Sequence, residues 1–179
     1  MNIIFTDFEG TLETLHLDSD EDIEKRIAIL GTICKKYNCK VVIEAAAKVL
    51  IDENTLETEN ENIKKIFNLF NKYGIECVGR TPCVPKWLSN NSYYSMWKDF
   101  EIRKYLFEHP EIEHYCVIDD GDFTGKVTDL KQVEDHLILT KNYSRNYEEE
   151  GLLESHIEEV GKILKKENNV RKLVLKYKK

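Results

Sequence analysis

The chain has 179 residues, of which 41% are hydrophobic and 33% charged, and it carries a net charge of −7 from 33 acidic and 26 basic residues. That length suits one domain able to bury a proper core, and the composition is that of a soluble globular protein. The acidic excess argues against non-specific binding of nucleic acid over the whole surface while leaving room for a local basic patch, and no apolar run approaches the roughly 18 residues of a membrane-spanning helix.

The first element is an apolar strand over 2–6, which begins so early that no signal peptide is expected. Ser19-Asp20-Glu21-Asp22 offers an N-cap and an acidic first turn for a helix to about Lys36, with Ile23, Ile27 and Leu30 at helical spacing. A strand over 40–44 (Lys-Val-Val-Ile-Glu) follows. Thr58 is placed to cap a second helix with Ile63, Ile66, Phe67 and Phe70 on one face, and Gly74 to stop it. A third strand is expected over 75–79. The stretch 80–97 is irregular, with Pro82, Pro85 and several aromatic residues, and reads either as a functional flap or as an ordered loop covering the sheet edge. A third helix is expected from about Ser95 to Phe107, with Pro110 beyond its end, then strands over 114–118 and 135–139, and a fourth helix from about Gly151 to Lys165. The stretch 170–177 alternates weakly and fits a strand or a helix. The basic residues Lys162, Lys165, Lys166, Arg171, Lys172, Lys176, Lys178 and Lys179 read as a solvated helix face and tail.

Short apolar runs alternating with helices predict a mainly parallel sheet covered on both faces, in a single domain over 1–179. The five cysteines (34, 39, 77, 83 and 116) form no Cys-x-x-Cys, and the histidines at 16, 109, 114, 136 and 156 complete no zinc pattern. Cys77 and Cys116 sit in strand-like runs and read as buried thiols, so a reduced, cytoplasmic setting is expected.

In doubly wound sheets, ligands sit beyond the carboxyl ends of the strands. Asp7, Glu44 and Asp119 all fall at such ends, which places three carboxylates in one crevice. The first strand runs Asn2-Ile3-Ile4-Phe5-Thr6-Asp7-Phe8-Glu9-Gly10-Thr11-Leu12, and a carboxylate at that place can attack phosphorus and form an aspartyl-phosphate. Gly10 permits the tight turn after it, and Thr11 can hydrogen-bond to the loop. The fourth strand ends Val117-Ile118-Asp119-Asp120, and such paired charges are costly unless a cation compensates them. With Asp7 they make a hard, oxygen-rich site suited to Mg²⁺.

These runs resemble the first and fourth motifs of the HAD (haloacid dehalogenase-like) superfamily. The resemblance implies a three-layer, Rossmann-like HAD fold with a five-stranded sheet and a minimal cap. It implies Asp7 as nucleophile and Glu9 as acid and base, where the superfamily has a second Asp. It implies Asp7, Glu9, Asp119 and Asp120 around Mg²⁺. A lysine that neutralises phosphate charge belongs at the start of the third helix, where Lys98 stands, with Arg103 as second choice. The superfamily's second motif ends the second strand in Ser or Thr, whereas this strand runs into Glu44 and Ala45, which bring no hydroxyl to the expected substrate-binding set of Gly10, Thr11, Glu44 and Ala45.

Spacing narrows the resemblance. Lys98 through Glu101-Ile102, then Asp119-Asp120, His136 to Thr140 and Gly151-Leu152 look like the small HAD domains of Swiss Army Knife RNA-repair proteins, over about residues 2–165. The context implies a phosphatase acting on a phosphorylated small molecule or a phosphorylated nucleic-acid end. Two functions follow as expectations. One is a Mg²⁺-dependent phosphoester hydrolase. The other is a degenerate domain that binds a phosphorylated ligand or a protein partner without turnover, through Trp87, Tyr93, Tyr94 and Trp97. A receiver domain would need a phosphoacceptor Asp ending the third strand, where Ile75-Glu76-Cys77-Val78-Gly79 stands, and a dinucleotide fold would need a glycine-rich first turn, where only Gly10 is present.

Overall fold

A computed structural model describes residues 1–14, 19–83, 94–121, 133–141, 149–166 and 168, with backbone alone for 94–97. Five strands, β1 (Asn2–Thr6), β2 (Cys39–Ile43), β3 (Cys77–Arg80), β4 (His114–Asp119) and β5 (Leu137–Leu139), are joined with four helices, α1 (Asp20–Tyr37), α2 (Glu61–Lys72), α3 (Tyr94–Glu108) and α4 (His156–Ile163). The sheet order is β3-β2-β1-β4-β5 and every pairing is parallel. The order reverses at β1 and β4, so the crevice of this doubly wound sheet opens at the ends of those two strands. No described helix is long and apolar enough to cross a membrane.

The two faces of the sheet bury different residues because successive strand side chains point to opposite sides. Ile4, Val41, Ile43, Cys116 and Ile118 pack against Ile27, Leu30 and Ile33 of α1, Ile66 and Phe70 of α2, and Val160 of α4. Ile3, Phe5, Val42, Tyr115 and Val117 face Ile102, Tyr105 and Leu106 of α3. Phe5 meets Tyr105 and Tyr115 edge-on, with ring centroids 5.7 and 6.0 Å apart. Gly79 on β3 leaves room for the Tyr105 hydroxyl, which a Cβ there would meet at 2.5 Å.

Helix α1 starts as its sequence predicts. The Ser19 side chain accepts from the Asp22 amide at 3.2 Å, and Asp22 Oδ2 accepts from the Ser19 amide at 3.1 Å, which completes a capping box. Helix α2 is capped by Asn60 rather than Thr58. The Thr58 hydroxyl donates instead to the Leu50 carbonyl at 2.7 Å, which ties down the chain after β2. Gly74, at φ +68, ends α2 as expected. Helix α4 begins at His156, not near Gly151. Gly151 (φ +69) bends the chain against Thr11, and the Leu152 amide donates to the Thr11 carbonyl at 2.9 Å, so this segment braces the first loop before the helix can start. Residues 134–136 form a 3-10 turn ahead of a β5 of three residues. His136 is buried there and stacks on Tyr115 at 4.1 Å. All five cysteines are free thiols; Cys116 is buried and Cys77 half-buried. The stretch 170–177 and most of the irregular stretch 80–97, with Trp87 and Tyr93, lie outside the described residues, as do the side chains of Tyr94 and Trp97.

Candidate active site

The ladder of backbone hydrogen bonds continues one residue past the strand ends and aligns the site. The Thr81 amide donates to Ile43, that of Glu44 to Thr6, and that of Asp7 to Ile118, at 2.9, 2.9 and 3.1 Å. In a parallel ladder these bonds set Thr81 beside Glu44, Glu44 beside Asp7, and Asp7 beside Asp119, all on one face and about 4.8 Å apart. The face is that of α3. Two residues below stand Val42, Phe5 and Val117 of its apolar core. The alternation that buries those three therefore also drives three carboxyls and a hydroxyl inward at the rim. Glu44, Asp119 and Thr81 are fully buried, and Asp7 is 4% exposed.

Lys98, on α3, enters this row from above. Its ammonium donates to Asp7 Oδ2 at 2.5 Å and to Asp119 Oδ2 at 2.7 Å, and stands 3.5 Å from Glu44 Oε2. A second buried lysine, Lys48, lies 3.8 Å from Glu44 Oε1 and pairs with Glu101, one turn along α3 from Lys98. Two ammonium groups thus serve four buried carboxyls. Such burial favours neutral acids. Burial, opposed by Lys98 and reinforced by Asp119, pushes Asp7 from its ordinary 3.8 up to about 7. Burial also holds Glu44 well above the usual range, against the pull of Lys98 and Lys48 and with Asp119 adding to the push. Burial pulls Lys98 down, but Glu44, Asp119 and Asp7 outweigh it and hold the ammonium above an ordinary lysine.

Carboxylate oxygens of Asp7, Asp119 and Asp120 lie within 4.8 Å of one another. Three hard oxygen donors in a region short of positive charge fit Mg²⁺. The loops orient them. The Phe8 amide donates to Asp7 Oδ1 at 2.7 Å, and the Gly121 amide to Asp119 Oδ1 at 2.6 Å. Gly10, at φ +73, lets the first loop pass under Asp120, where a Cβ would stand 2.3 Å from the carboxyl carbon. Thr140, just after β5, donates to the Gly10 carbonyl at 2.8 Å, and its hydroxyl lies 3.2 Å from that of Thr11.

The family described as HAD domain in Swiss Army Knife RNA repair proteins matches residues 3–157. The chain belongs to this HAD family. No curated protein and no solved structure gives a match. The five-stranded parallel sheet with helices on both faces is the expected three-layer architecture of the HAD domain.

The HAD domain brings most of the predicted residues together. Asp7, Lys98, Asp119 and Asp120 converge, and Glu44 enters the same row. Arg103 does not; it pairs with Asp99 at 2.7 Å. The Glu9 side chain is exposed and stands outside the acidic cluster, with its backbone bridged to Glu13. Gly10 and Thr11 shape the loop from below. Ala45 is buried and opens the 3-10 turn Ala46–Leu50, which carries Lys48 inward. Lys48, Glu101, Thr81 and Thr140 are the residues not foreseen as part of the site. The signal available for Lys48 was its i,i+4 spacing from Glu44. Neither Glu44 oxygen nor the Thr81 hydroxyl has a hydrogen-bond partner among the described residues. Each such group costs about 1–3 kcal/mol.

Proposed function

We propose that this HAD domain is a Mg²⁺-dependent phosphoester hydrolase working through an aspartyl-phosphate. The observation that supports it best is the meeting of Asp7, Lys98 and the Asp119-Asp120 pair at the switch point of the sheet. Asp7 Oδ2 attacks phosphorus as the bond to the alcohol oxygen breaks, and the leaving alkoxide takes a proton from Glu9, the acid and base that the superfamily's first motif implies. Glu9 then removes a proton from water, whose oxygen attacks the phosphorus, and the P–O bond to Asp7 breaks to release phosphate. Lys98 neutralises charge on the transferring group. Asp7, Asp119 and Asp120 would hold Mg²⁺, which would supply Lewis-acid stabilisation of the phosphoryl oxygens. Substrates are a phosphorylated small molecule or a phosphorylated nucleic-acid end, the latter favoured by the RNA-repair context of the family, and a cytoplasmic setting agrees with the free thiols.

One observation supports a second reading. Glu44 stands where the second motif needs a hydroxyl, and the loss of such a donor is worth about 2–4 kcal/mol of transition-state stabilisation. A domain so altered would bind a phosphorylated ligand or a protein partner without turnover. Hydrolysis of an aryl phosphate with and without Mg²⁺, by the native protein and by Asp7→Asn, separates the two. Metal-dependent turnover that disappears in the variant is the expected result. Turnover unchanged in Asp7→Asn refutes the aspartyl-phosphate route, and no turnover by either protein favours the binding domain.

A further inference from the structure

Two buried lysines flank one carboxyl. Glu44 presents Oε2 to Lys98 at 3.5 Å and Oε1 to Lys48 at 3.8 Å. Lys48 donates to Glu101, which follows Lys98 by three residues on α3. The four side chains therefore close a ring, from Lys98 through Glu44, Lys48 and Glu101 and back along one turn of the helix, and all four are buried. Lys48 enters the ring from a braced turn. Its amide donates to the Ala45 carbonyl at 3.1 Å, and its carbonyl accepts from the Ile51 amide at 3.0 Å. The Ile51 carbonyl in turn accepts from Arg80 Nε at 2.9 Å, which ties the turn to the end of β3.

Stability alone does not account for the ring. Replacing a buried ion pair by apolar side chains of similar volume is often neutral or favourable, so Lys48 and Glu101 are not needed to hold α3 on the sheet. What Lys48 adds is a second cation beside Glu44. An ammonium has three N–H donors. Lys98 gives one to Asp7 and one to Asp119, which leaves one for a phosphoryl oxygen. Glu44 competes for that donor from 3.5 Å. Lys48, on the other side of the carboxyl, shares the attraction and weakens the competition. With Lys48 removed, Lys98 is the ammonium left beside Glu44 among the described residues, and in a buried setting the two draw together strongly.

We propose that Lys48 is a positioning residue which, through Glu44, keeps Lys98 available to the phosphoryl group. The inference rests on Lys98 as the phosphate clamp of the hydrolase reading, but the binding it predicts does not need turnover. Lys48→Met with Glu101→Leu tests it, because the double variant removes the ammonium without leaving Glu101 unpaired. Urea unfolding establishes that the variant is folded. Calorimetry then measures the affinity for Mg²⁺ alone and for inorganic phosphate in saturating Mg²⁺. Phosphate should bind about tenfold more weakly than to the native protein. Mg²⁺ should bind as tightly or more tightly, since Asp7, Asp119 and Asp120 are untouched. Lys48→Gln, which keeps a donor for Glu101 but no charge, should show the same split and decides the matter if the double variant does not fold. Phosphate affinity unchanged in the folded variant overturns the assignment, as does a loss of phosphate and Mg²⁺ affinity together, or native protein that binds no phosphate. Aryl phosphate hydrolysis by the native protein is measured separately. The split in binding without turnover leaves the role of Lys48 standing and removes the hydrolase reading.

Discussion

Replacing Asp7 by Asn should stabilise the metal-free protein, and by an amount that depends on pH. In the native state burial pushes Asp7 from 3.8 up to about 7. Between those values the folded protein holds a proton that the unfolded chain has released. Stability therefore falls as pH rises from about 4 to about 7 and is level above it. The whole interval corresponds to about 4 kcal/mol at about 1.4 kcal/mol per pH unit. Asn is neutral throughout, so the variant is spared this loss. Lys98 keeps Asp119 at 2.7 Å and Glu44 at 3.5 Å, so the ammonium is not stranded by the change. Part of its pairing is still lost, which brings the expected gain at pH 8 to about 2–4 kcal/mol, against little or none at pH 4.5. Urea unfolding in a chelator at the two pH values measures it. Addition of Mg²⁺ at pH 8 should then stabilise the native protein more than the variant, because a cation among Asp7, Asp119 and Asp120 relieves the same repulsion. A variant less stable than the native protein at pH 8, or a difference that does not change with pH, would refute the assignment of Asp7 as a buried charge under strain.

Three further substitutions probe the surroundings. Lys98→Met removes the cation shared by Asp7, Asp119 and Glu44; it should cost about 3–5 kcal/mol at pH 8, less at pH 4.5 where the carboxyls take up protons, and it should remove aryl phosphate hydrolysis. Gly10→Ala meets the Asp120 carboxyl at 2.3 Å and a positive φ, whereas Gly74→Ala, at φ +68, meets open space. The first should lower Mg²⁺ affinity, read by calorimetry, and cost about 1–3 kcal/mol; the second should cost about 1 kcal/mol and leave metal binding alone. Lys48→Met removes the ammonium that pairs with Glu101 and lies beside Glu44 and should cost about 3–5 kcal/mol in urea unfolding, while Lys48→Met with Glu101→Leu should recover much of it. A double variant no more stable than the single one would show that the pair is not the source.

The parts of the site that were legible in the sequence are those set by one strand at a time. An apolar run that ends in a carboxylate fixes which face that carboxylate joins, because the period of two is counted from residues that must be buried. Phe5 points to α3, so Asp7 does; Val117 does, so Asp119 does; Val42 does, so Glu44 does. The helix caps show the limit of such local counting. Ser19 caps α1 because Asp22 returns its bond three residues on, within one turn. Thr58 carries equal capping chemistry, but its hydroxyl reaches the Leu50 carbonyl, eight residues back, and Asn60 takes the cap. The same holds for Gly151, whose turn belongs to a contact with Thr11 rather than to the helix it was expected to begin.

What could not be read is what two strands must agree on. Thr81 is an ordinary threonine before a proline in sequence, and only the pairing of β3 with β2 puts it beside Glu44. The bulge in that pairing, between Val41 and Val42, shifts β3 by one residue against the register that uniform alternation would supply. Without the shift, the position opposite Glu44 would be filled by Arg80, and the row would have a guanidinium in place of a hydroxyl next to the carboxyl. A single irregularity at the sheet edge thus decides whether the carboxyl next to the nucleophile meets a hydroxyl or a guanidinium. Val78, the residue displaced by the bulge, remains packed against the α3 core, so the register shift keeps the apolar face covered while it turns Thr81 into the row.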